Sequence, residues 1–164
     1  MATFDYNPIQ YVGGESIPSY PIVIDCIFER NYTEGIHSYA PGGGGMSGGY
    51  KAINCVFKQN ISAGGGGGLS SCDNVIDCIF EQNEAAGEGG GIGAARNVSN
   101  CIFSNNKAAQ GGAMTLTSHN EQGSINITDS LFLKNTVAGE DQNIGGGAIY
   151  GYFSKATVRD CRFL

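Results

Sequence analysis

A short motif, Phe-x-x-Asn, recurs along the chain at nearly constant spacing. Its asparagines follow one another after 24, 29, 23, 23 and 29 residues, so the basic repeat is about 23 residues and some units are longer. A repeat of this length is typical of solenoid proteins, in which each unit is one structural turn that stacks on the next. The six occurrences are Phe4–Asn7, Phe28–Asn31, Phe57–Asn60, Phe80–Asn83, Phe103–Asn106 and Phe132–Asn135.

The residues around each phenylalanine predict strands rather than helices. A cysteine, or once a serine, lies two positions before most of these phenylalanines, and residues two apart on a strand point to the same face. No segment of ten or more residues has apolar side chains at helical spacing. We therefore predict an all-β fold, a right-handed parallel β-helix of about six coils with a basic repeat of about 23 residues. It should form a single domain over residues 1–164, with loop insertions near 36–41, 117–123 and 139–143.

Three columns of equivalent residues should run along the stack as structural ladders. Coils stack about 4.8 Å apart, so asparagines at the same phase can bond to one another. Cysteine and phenylalanine should form two further inward columns. The members are Asn7, Asn31, Asn60, Asn83, Asn106 and Asn135; Cys26, Cys55, Cys78, Cys101 and Cys161; and Phe28, Phe57, Phe80, Phe103 and Phe132.

The 27 glycines occur in bursts that return once per unit, such as Gly64–Gly68 and Gly89–Gly91. Glycine adopts positive φ without a steric penalty and lets neighbouring backbone approach closely, so the bursts should form tight corners. A phosphate-binding loop is rejected, because no Gly-Lys-Ser/Thr sequence and no helix follows any burst.

The Phe-x-x-Asn motif is combined with Gly-Gly-Ala and an apolar residue, present as Gly111–Met114 and Gly146–Ile149. This combination resembles the repeats of polymorphic outer-membrane proteins and related adhesin-like proteins, over nearly the whole chain. The resemblance implies a β-helical passenger domain that acts in adhesion at a cell surface. It thus implies an extracellular or cell-surface location.

The cysteines allow three interpretations. Unpaired buried cysteine behaves as a small hydrophobic side chain, and this packing role is the main interpretation. Disulfides between adjacent coils are an alternative, because the coil spacing falls within the Cα separations of disulfides. Zinc is disfavoured, since ligands in a linear stack do not converge tetrahedrally. Cys72 lies outside the column, and the sequence does not place it.

A second polar column of Asp and Asn directly precedes the cysteine column; its members are Asp25, Asn54, Asp77, Asn100, Asp129 and Asp160. Both residue types suit corners, because they tolerate the left-handed region and bond to nearby backbone. The column could also be read as a calcium ladder or as the acids of a pectate-lyase-like site. The calcium candidates are Asp25, Asp77, Asp129 and Asp160, and corner structure is the favoured interpretation.

No catalytic residue and no cofactor site is predicted. The two histidines, His37 and His119, have no cysteine or serine nucleophile at a suggestive spacing. Four segments match the N-glycosylation pattern, at Asn31, Asn60, Asn97 and Asn126. The amides of Asn31 and Asn60 should be engaged in the ladder, so these matches are interpreted as accidental.

The net charge of −6 argues against a nucleic-acid partner, and no stretch is apolar enough to cross a bilayer. Met1 to Gln10 lacks the basic and apolar regions of a signal peptide. We predict a non-enzymatic structural or adhesive module whose partner is a protein or a glycan at a cell surface. Head-to-tail self-association into filaments is a further prediction. The alternative is a polysaccharide-binding or polysaccharide-degrading β-helix of the lyase or hydrolase type.

Overall fold

The computed structural model describes residues 11–12, 15–16, 21–34, 42–117, 124–138, 145–152 and 155–164. The regular structure of these residues is entirely β-strand. The loops expected near 36–41 and 139–143 lie outside the described residues, as does most of the loop expected near 117–123. The strands are β1 (Tyr11–Val12), β2 (Glu15–Ser16), β3 (Ile22–Ile24), β4 (Ile27–Glu29), β5 (Tyr32–Thr33), β6 (Lys51–Ile53), β7 (Val56–Lys58), β8 (Ile61–Ser62), β9 (Leu69–Ile76), β10 (Ile79–Glu81), β11 (Glu84–Ala85), β12 (Ile92–Ser99), β13 (Ile102–Ser104), β14 (Lys107–Ala108), β15 (Met114–Thr117), β16 (Ser124–Thr128), β17 (Leu131–Leu133), β18 (Thr136–Val137), β19 (Ile149–Tyr152), β20 (Lys155–Arg159) and β21 (Arg162–Phe163).

Three parallel sheets run along the molecule, and each coil contributes strands to all of them in turn. The first sheet contains β3, β6, β9, β12, β15, β16, β19 and β20. The second contains β4, β7, β10, β13, β17 and β21, and the third contains β5, β8, β11, β14 and β18. Strands pair only with the same strands of adjacent coils, as in Phe57↔Phe80↔Phe103. The predicted right-handed parallel β-helix is confirmed. A separate antiparallel pair, β1 with β2, precedes it.

The alternation of side chains along the short strands creates the core. In β10, Phe80 is fully buried, whereas Ile79 on the other face is 38% exposed. The rings stack directly on one another from the buried Phe28 to the half-exposed Phe163, with centroids 4.7 to 4.9 Å apart and interplanar angles of 1 to 7°. This distance equals the spacing between paired strands, so each coil adds one layer of side chains to the core. Leu69, Ile92 and Met114 fill the same interior from the first sheet.

Single residues in the left-handed region make the two corners on either side of the second sheet. Between the first and second sheets they are the Asp/Asn column: Asp25, Asn54, Asp77, Asn100, Asp129 and Asp160, with φ of 50 to 56°. Between the second and third sheets, the left-handed residue is the one before each motif asparagine, and not the asparagine itself. These residues are Arg30, Gln59, Gln82, Asn105 and Lys134, with φ of 51 to 55°.

The third corner, which leads back into the first sheet, is made by glycine. Gly89 has a φ of 64°, and a Cβ built there would overlap the carbonyl oxygen of Ile92. Gly66, Gly111 and Gly146 occupy the same phase, also with positive φ. Glycine is thus required at this corner by close backbone approach as well as by φ, whereas side chains at the other two corners are accommodated.

Candidate functional site

The motif asparagines form one hydrogen-bonded column, here called the inner Asn ladder: Asn31, Asn60, Asn83, Asn106 and Asn135. Each Nδ2 up to Asn106 donates to Oδ1 of the next asparagine at 2.8 to 3.0 Å. The same Oδ1 accepts the backbone N–H of the preceding ladder residue at 3.0 to 3.1 Å. From Asn60 onward, Nδ2 also donates to the phenylalanine carbonyl one coil back, at 2.8 to 2.9 Å. Each central asparagine therefore links three coils. Asn7 lies outside the described residues.

Burial makes these bonds important for stability. Asn60, Asn83 and Asn106 have no exposed surface, and a buried polar group left without a partner costs about 1–3 kcal/mol. Among the described residues, every buried side-chain nitrogen and oxygen has a hydrogen-bond partner. The inner Asn ladder is thus a device for stacking coils, with its amides turned away from any ligand.

The cysteine column is built in the same way. Cys55, Cys78 and Cys101 are at most 1% exposed, and the end members Cys26 and Cys161 are half-buried. Each Sγ–H donates to the carbonyl oxygen two residues back, at 3.1 to 3.2 Å. Ser130 makes the equivalent bond to Thr128 at 2.8 Å, which explains why serine can replace cysteine in this column.

All six cysteines are free thiols. The column cysteines directly precede the in-register strands of the second sheet, so their Cβ atoms remain about one coil spacing apart, beyond the roughly 3.5–4.5 Å that a disulfide requires. Burial raises the pKa of Cys55, and the thiol contact with Cys78 raises the pKa of Cys101, with burial acting in the same direction. The thiols of Cys55 and Cys101 are therefore held in the neutral, unreactive form, whereas the same contact with Cys101 lowers the pKa of Cys78.

Cys72 lies on β9 and is 5% exposed. It is in register with Ala95 of the next coil, and its Sγ–H donates to the carbonyl oxygen of Asn74 at 3.4 Å. Burial raises the pKa of this thiol to about 11. The sequence could not place Cys72, because no equivalent cysteine exists in another coil.

The calcium candidates are exposed at the corner between the first and second sheets. Asp25 accepts a bond from Asn54 Nδ2 at 2.6 Å, and Asp77 accepts one from Asn100 at 2.6 Å. Asp129 and Asp160 belong to successive coils of the same corner. Within the described ranges, no group of three or more His, Cys, Asp or Glu residues lies close enough to hold a metal ion. Asn between Asp side chains reduces the repulsion of like charges along the stack.

A second column of asparagines, here called the outer Asn row, lies on the outer surface of the first sheet. Asn97 Nδ2 donates to Asn74 Oδ1 at 3.0 Å, and Asn126 Nδ2 donates to Asn97 Oδ1 at 3.2 Å. This row was not predicted from the sequence, although its members, Asn74, Asn97 and Asn126, are spaced by 23 and 29 residues like the motif. The amides of the two glycosylation matches at Asn97 and Asn126 are engaged in this row.

The second sheet presents a regular outer surface, here called the second-sheet face. One column is aliphatic, with Ile27 at 72%, Ile79 at 38% and Ile102 at 41% exposure. Its members are Ile27, Val56, Ile79, Ile102 and Leu131. The neighbouring column carries charge, and Lys58 pairs with Glu81 of the next coil at 3.4 Å. The two left-handed corner columns flank this face on either side.

His37 and His119 lie outside the described residues. The described part of the chain contains no helix long and apolar enough to cross a membrane. Several charged side chains on the outside are in ion pairs between adjacent coils, such as Lys107 with Glu84 at 3.2 Å and Arg96 with Asp73 at 3.3 Å.

Together, these columns define a repeat protein of the parallel β-helix class. The residues that recur at the same position in each unit are the ones that stack the coils on one another. Residues 77–95 match the family model of the Chlamydia polymorphic membrane protein repeat. The match begins at the Asp77 corner, covers Cys78, Phe80 and Asn83, and ends within β12. This coil is therefore similar to a repeat of that family, and the same columns continue through the neighbouring coils. No curated protein and no solved structure gave a significant match.

Proposed function

We propose that the chain is a non-enzymatic structural and adhesive β-helix module of a cell-surface or extracellular protein. The observation that carries the proposal is the match of one coil to a polymorphic membrane protein repeat. The geometry supports it, because the recurring Phe, Cys and Asn side chains are used for stacking. The outer positions are then free to vary and to contact a protein or a glycan.

Among the residues that the structure describes, the ionisable groups do not converge on one site, and this supports a non-enzymatic role. Hydrolysis or elimination on a polysaccharide needs an acid and a base directed at one exposed cleft. Here, Lys58, Glu81 and Arg96 lie on outer faces and are paired with neighbours in adjacent coils. These ion pairs are spread over the outer faces of the β-helix, so their charged groups do not form one site.

The alternative is a polysaccharide-binding or polysaccharide-degrading β-helix, and the outer Asn row favours the binding form. Asn97 and its neighbours present a column of amides on an exposed sheet, and amides are suitable partners for sugar hydroxyls. An Asn97→Ser substitution should weaken any such glycan binding while leaving the coil stack intact.

Two assays on the same purified chain separate these functions. One measures binding to host-type cell surfaces and to arrays of proteins and glycans, and the other measures turnover of acidic and neutral polysaccharides. We expect saturable binding without turnover. Polysaccharide cleavage by the chain would contradict the proposal and select the enzymatic alternative.

The proposal includes head-to-tail self-association of such modules into filaments. All three sheets are parallel and in register, so coils of two molecules could extend the same sheets. Light scattering over a range of concentrations tests this, and we expect species that grow beyond a dimer. A mass that never exceeds a dimer would contradict filament formation and leave the adhesive role in place.

A further inference from the structure

The second-sheet face has a charge pattern with a specific symmetry. Take the four coils of Phe28, Phe57, Phe80 and Phe103 in order. At the first corner they carry Asp25, Asn54, Asp77 and Asn100, all exposed. Reversing the order of this column exchanges every Asp with an Asn.

The charged column beside it behaves in the same way. In the same four coils it reads Glu29, Lys58, Glu81 and Ser104. If a second copy faces the first with its coils in reverse order, Lys58 of one copy lies opposite Glu81 of the other, so opposite charges meet. Glu29 then lies opposite the neutral Ser104. The aliphatic column is apolar in both directions. The face is therefore complementary to a reversed copy of itself.

We propose that the second-sheet face is a self-association surface on which two copies of the chain pack antiparallel. The two-fold axis lies in the interface and passes between the coils of Phe57 and Phe80. This proposal goes beyond the adhesive role and does not depend on it. It also differs from head-to-tail stacking, because it joins the flanks of two β-helices and stops at a dimer.

The apolar column and the spacing select a second copy as the occupant. Val56 of one copy faces Ile79 of the other, and Ile27 faces Ile102, so the exposed aliphatic side chains cover one another. Side chains that repeat at 4.7 to 4.9 Å are matched in step by a surface with the same repeat. A second copy of the chain has the same coil spacing and therefore the same repeat.

The charges determine the centre of the antiparallel arrangement. Lys58 already pairs with Glu81 within the chain at 3.4 Å. In the dimer these two residues and their symmetry mates form a square of alternating charges, in which each cation has two anionic neighbours. Shifting the axis by half a coil, onto the coil of Phe80, would place Glu81 against Glu81 and Asp77 against Asp77. That arrangement is repulsive.

A parallel arrangement is disfavoured for a different reason. A two-fold axis along the β-helix would reverse the face sideways and keep the order of the coils. The aliphatic column would then face the charged column, with Ile79 against Glu81 in each copy. Burying the Lys58–Glu81 pair against aliphatic side chains removes both charges from water and offers them no new partner across the interface, which is costly.

The size of the face predicts a weak dimer. Four coils at about 4.8 Å and six residues at about 3.3 Å give a footprint of roughly 19 by 20 Å, or about 400 Å² per copy. This is about half of the roughly 800 Å² per partner in a standard interface. We therefore expect a dissociation constant of about 0.1–1 mM, which is reached where copies are concentrated on one surface.

Sedimentation equilibrium of the purified chain, with two matched pairs of variants, tests the proposal. Lys58→Glu breaks the ion pair with Glu81 on the second-sheet face, and Lys107→Glu breaks the equivalent pair with Glu84 on the third sheet. We expect Lys58→Glu to raise the dimer dissociation constant about tenfold, since the two-fold axis counts the change twice. Lys107→Glu should change it by less than about twofold.

The apolar column is tested in parallel. Ile79 on the second-sheet face is 38% exposed and Ile61 on the third sheet is 43% exposed. Ile79→Asp should raise the dissociation constant of the side-by-side dimer at least about tenfold, whereas Ile61→Asp should leave it nearly unchanged. The double variant Lys58→Glu/Glu81→Lys restores opposite charges across the axis, and its dissociation constant should return to within about threefold of the parent value. Circular dichroism shows that each variant remains folded.

Three results would overturn the proposal. One is a parent chain that stays monomeric up to several times the upper end of the expected dissociation constant. Another is an equal loss of dimer in Lys58→Glu and Lys107→Glu, which would place the contact off this face. The third is a dimer dissociation constant that Ile79→Asp leaves unchanged, because the side-by-side contact would then use another surface.

Discussion

The inner Asn ladder and the outer Asn row are made of the same side chain at the same spacing, on opposite sides of the β-helix wall. Asn83 is fully buried and takes part in five hydrogen bonds through its side chain and backbone N–H. Asn97 is exposed, and its side chain bonds only to its two row neighbours. Within three successive coils the two columns have the same spacing in the sequence, although Lys51 and Thr157 occupy the outer position in the coils on either side. Burial decides which column stabilises the fold and which is free for contact with a partner.

The comparison predicts that the inward side of a strand is far more sensitive to substitution than its outward side. Phe80→Ala should lower the free energy of unfolding by about 3–5 kcal/mol, because it empties a ring-sized space in a continuous stack. The neighbouring Ile79→Ala, on the outer face of the same strand, should lower it by less than about 1 kcal/mol. Urea unfolding monitored by circular dichroism measures both. Similar losses would mean that the strand does not separate inside from outside.

The two asparagine columns provide the next largest contrast. Asn83→Ala should lower the free energy of unfolding by about 3 kcal/mol, because it leaves Asn60, Asn106 and the carbonyl of Phe57 short of partners in a buried place. Asn97→Ala should cost less than about 0.5 kcal/mol, since water can replace its bonds. Equal losses of unfolding free energy for the two variants, measured by the same urea titration, would show that the inner Asn ladder stabilises the fold no more than the outer Asn row does.

A pH titration distinguishes inside from outside through Cys72. Burial raises the pKa of this thiol from 9.0 to about 11 in the folded chain. Above pH 9 the unfolded chain loses this proton while the folded chain keeps it, so stability is complete below pH 9 and declines as the pH rises toward 11. The decline due to Cys72 should reach about 2 kcal/mol.

The measurement compares the parent chain with Cys72→Ala. The other ionisable groups, including the thiols of Cys55 and Cys101, are present in both chains, so the difference in slope between pH 9 and 11 reports Cys72. We expect a shallower slope in the variant. Identical slopes would show that the thiol of Cys72 ionises as readily in the folded chain as in the unfolded one.

The fold could be predicted from the sequence because each unit marks the same position in the repeat with two features. These are the Phe-x-x-Asn motif and the cysteine or serine two residues before its phenylalanine. Parallel pairing follows from that phase, since only in-register coils place Phe57 against Phe80. The outer Asn row was missed because Asn74 and Asn97 are not tied to that motif, and an exposed column tolerates other residues such as Thr157 in the next coil.

The left-handed residue before each motif asparagine was also missed. Arg30, Gln59 and Lys134 hold positive φ there, although none of these residue types favours it. Their conformation is imposed by the ladder that follows, because the asparagine must turn inward to bond along the stack. Such a requirement belongs to the three-dimensional arrangement and leaves no local signal in the sequence.

This corner gives the smallest predicted effect. Lys134 has a φ of 51° and is exposed, so Lys134→Gly removes the strain of a left-handed side chain, worth about 1 kcal/mol. The greater freedom of glycine in the unfolded chain offsets most of that gain, and the net change should lie within about 0.5 kcal/mol. Thr136→Gly, two residues later on the exposed face of β18, has no such strain to relieve and should lose about 1 kcal/mol. Thermal unfolding of the two variants measures the contrast, and a loss at Lys134 as large as that at Thr136 would show that the left-handed corner is unstrained.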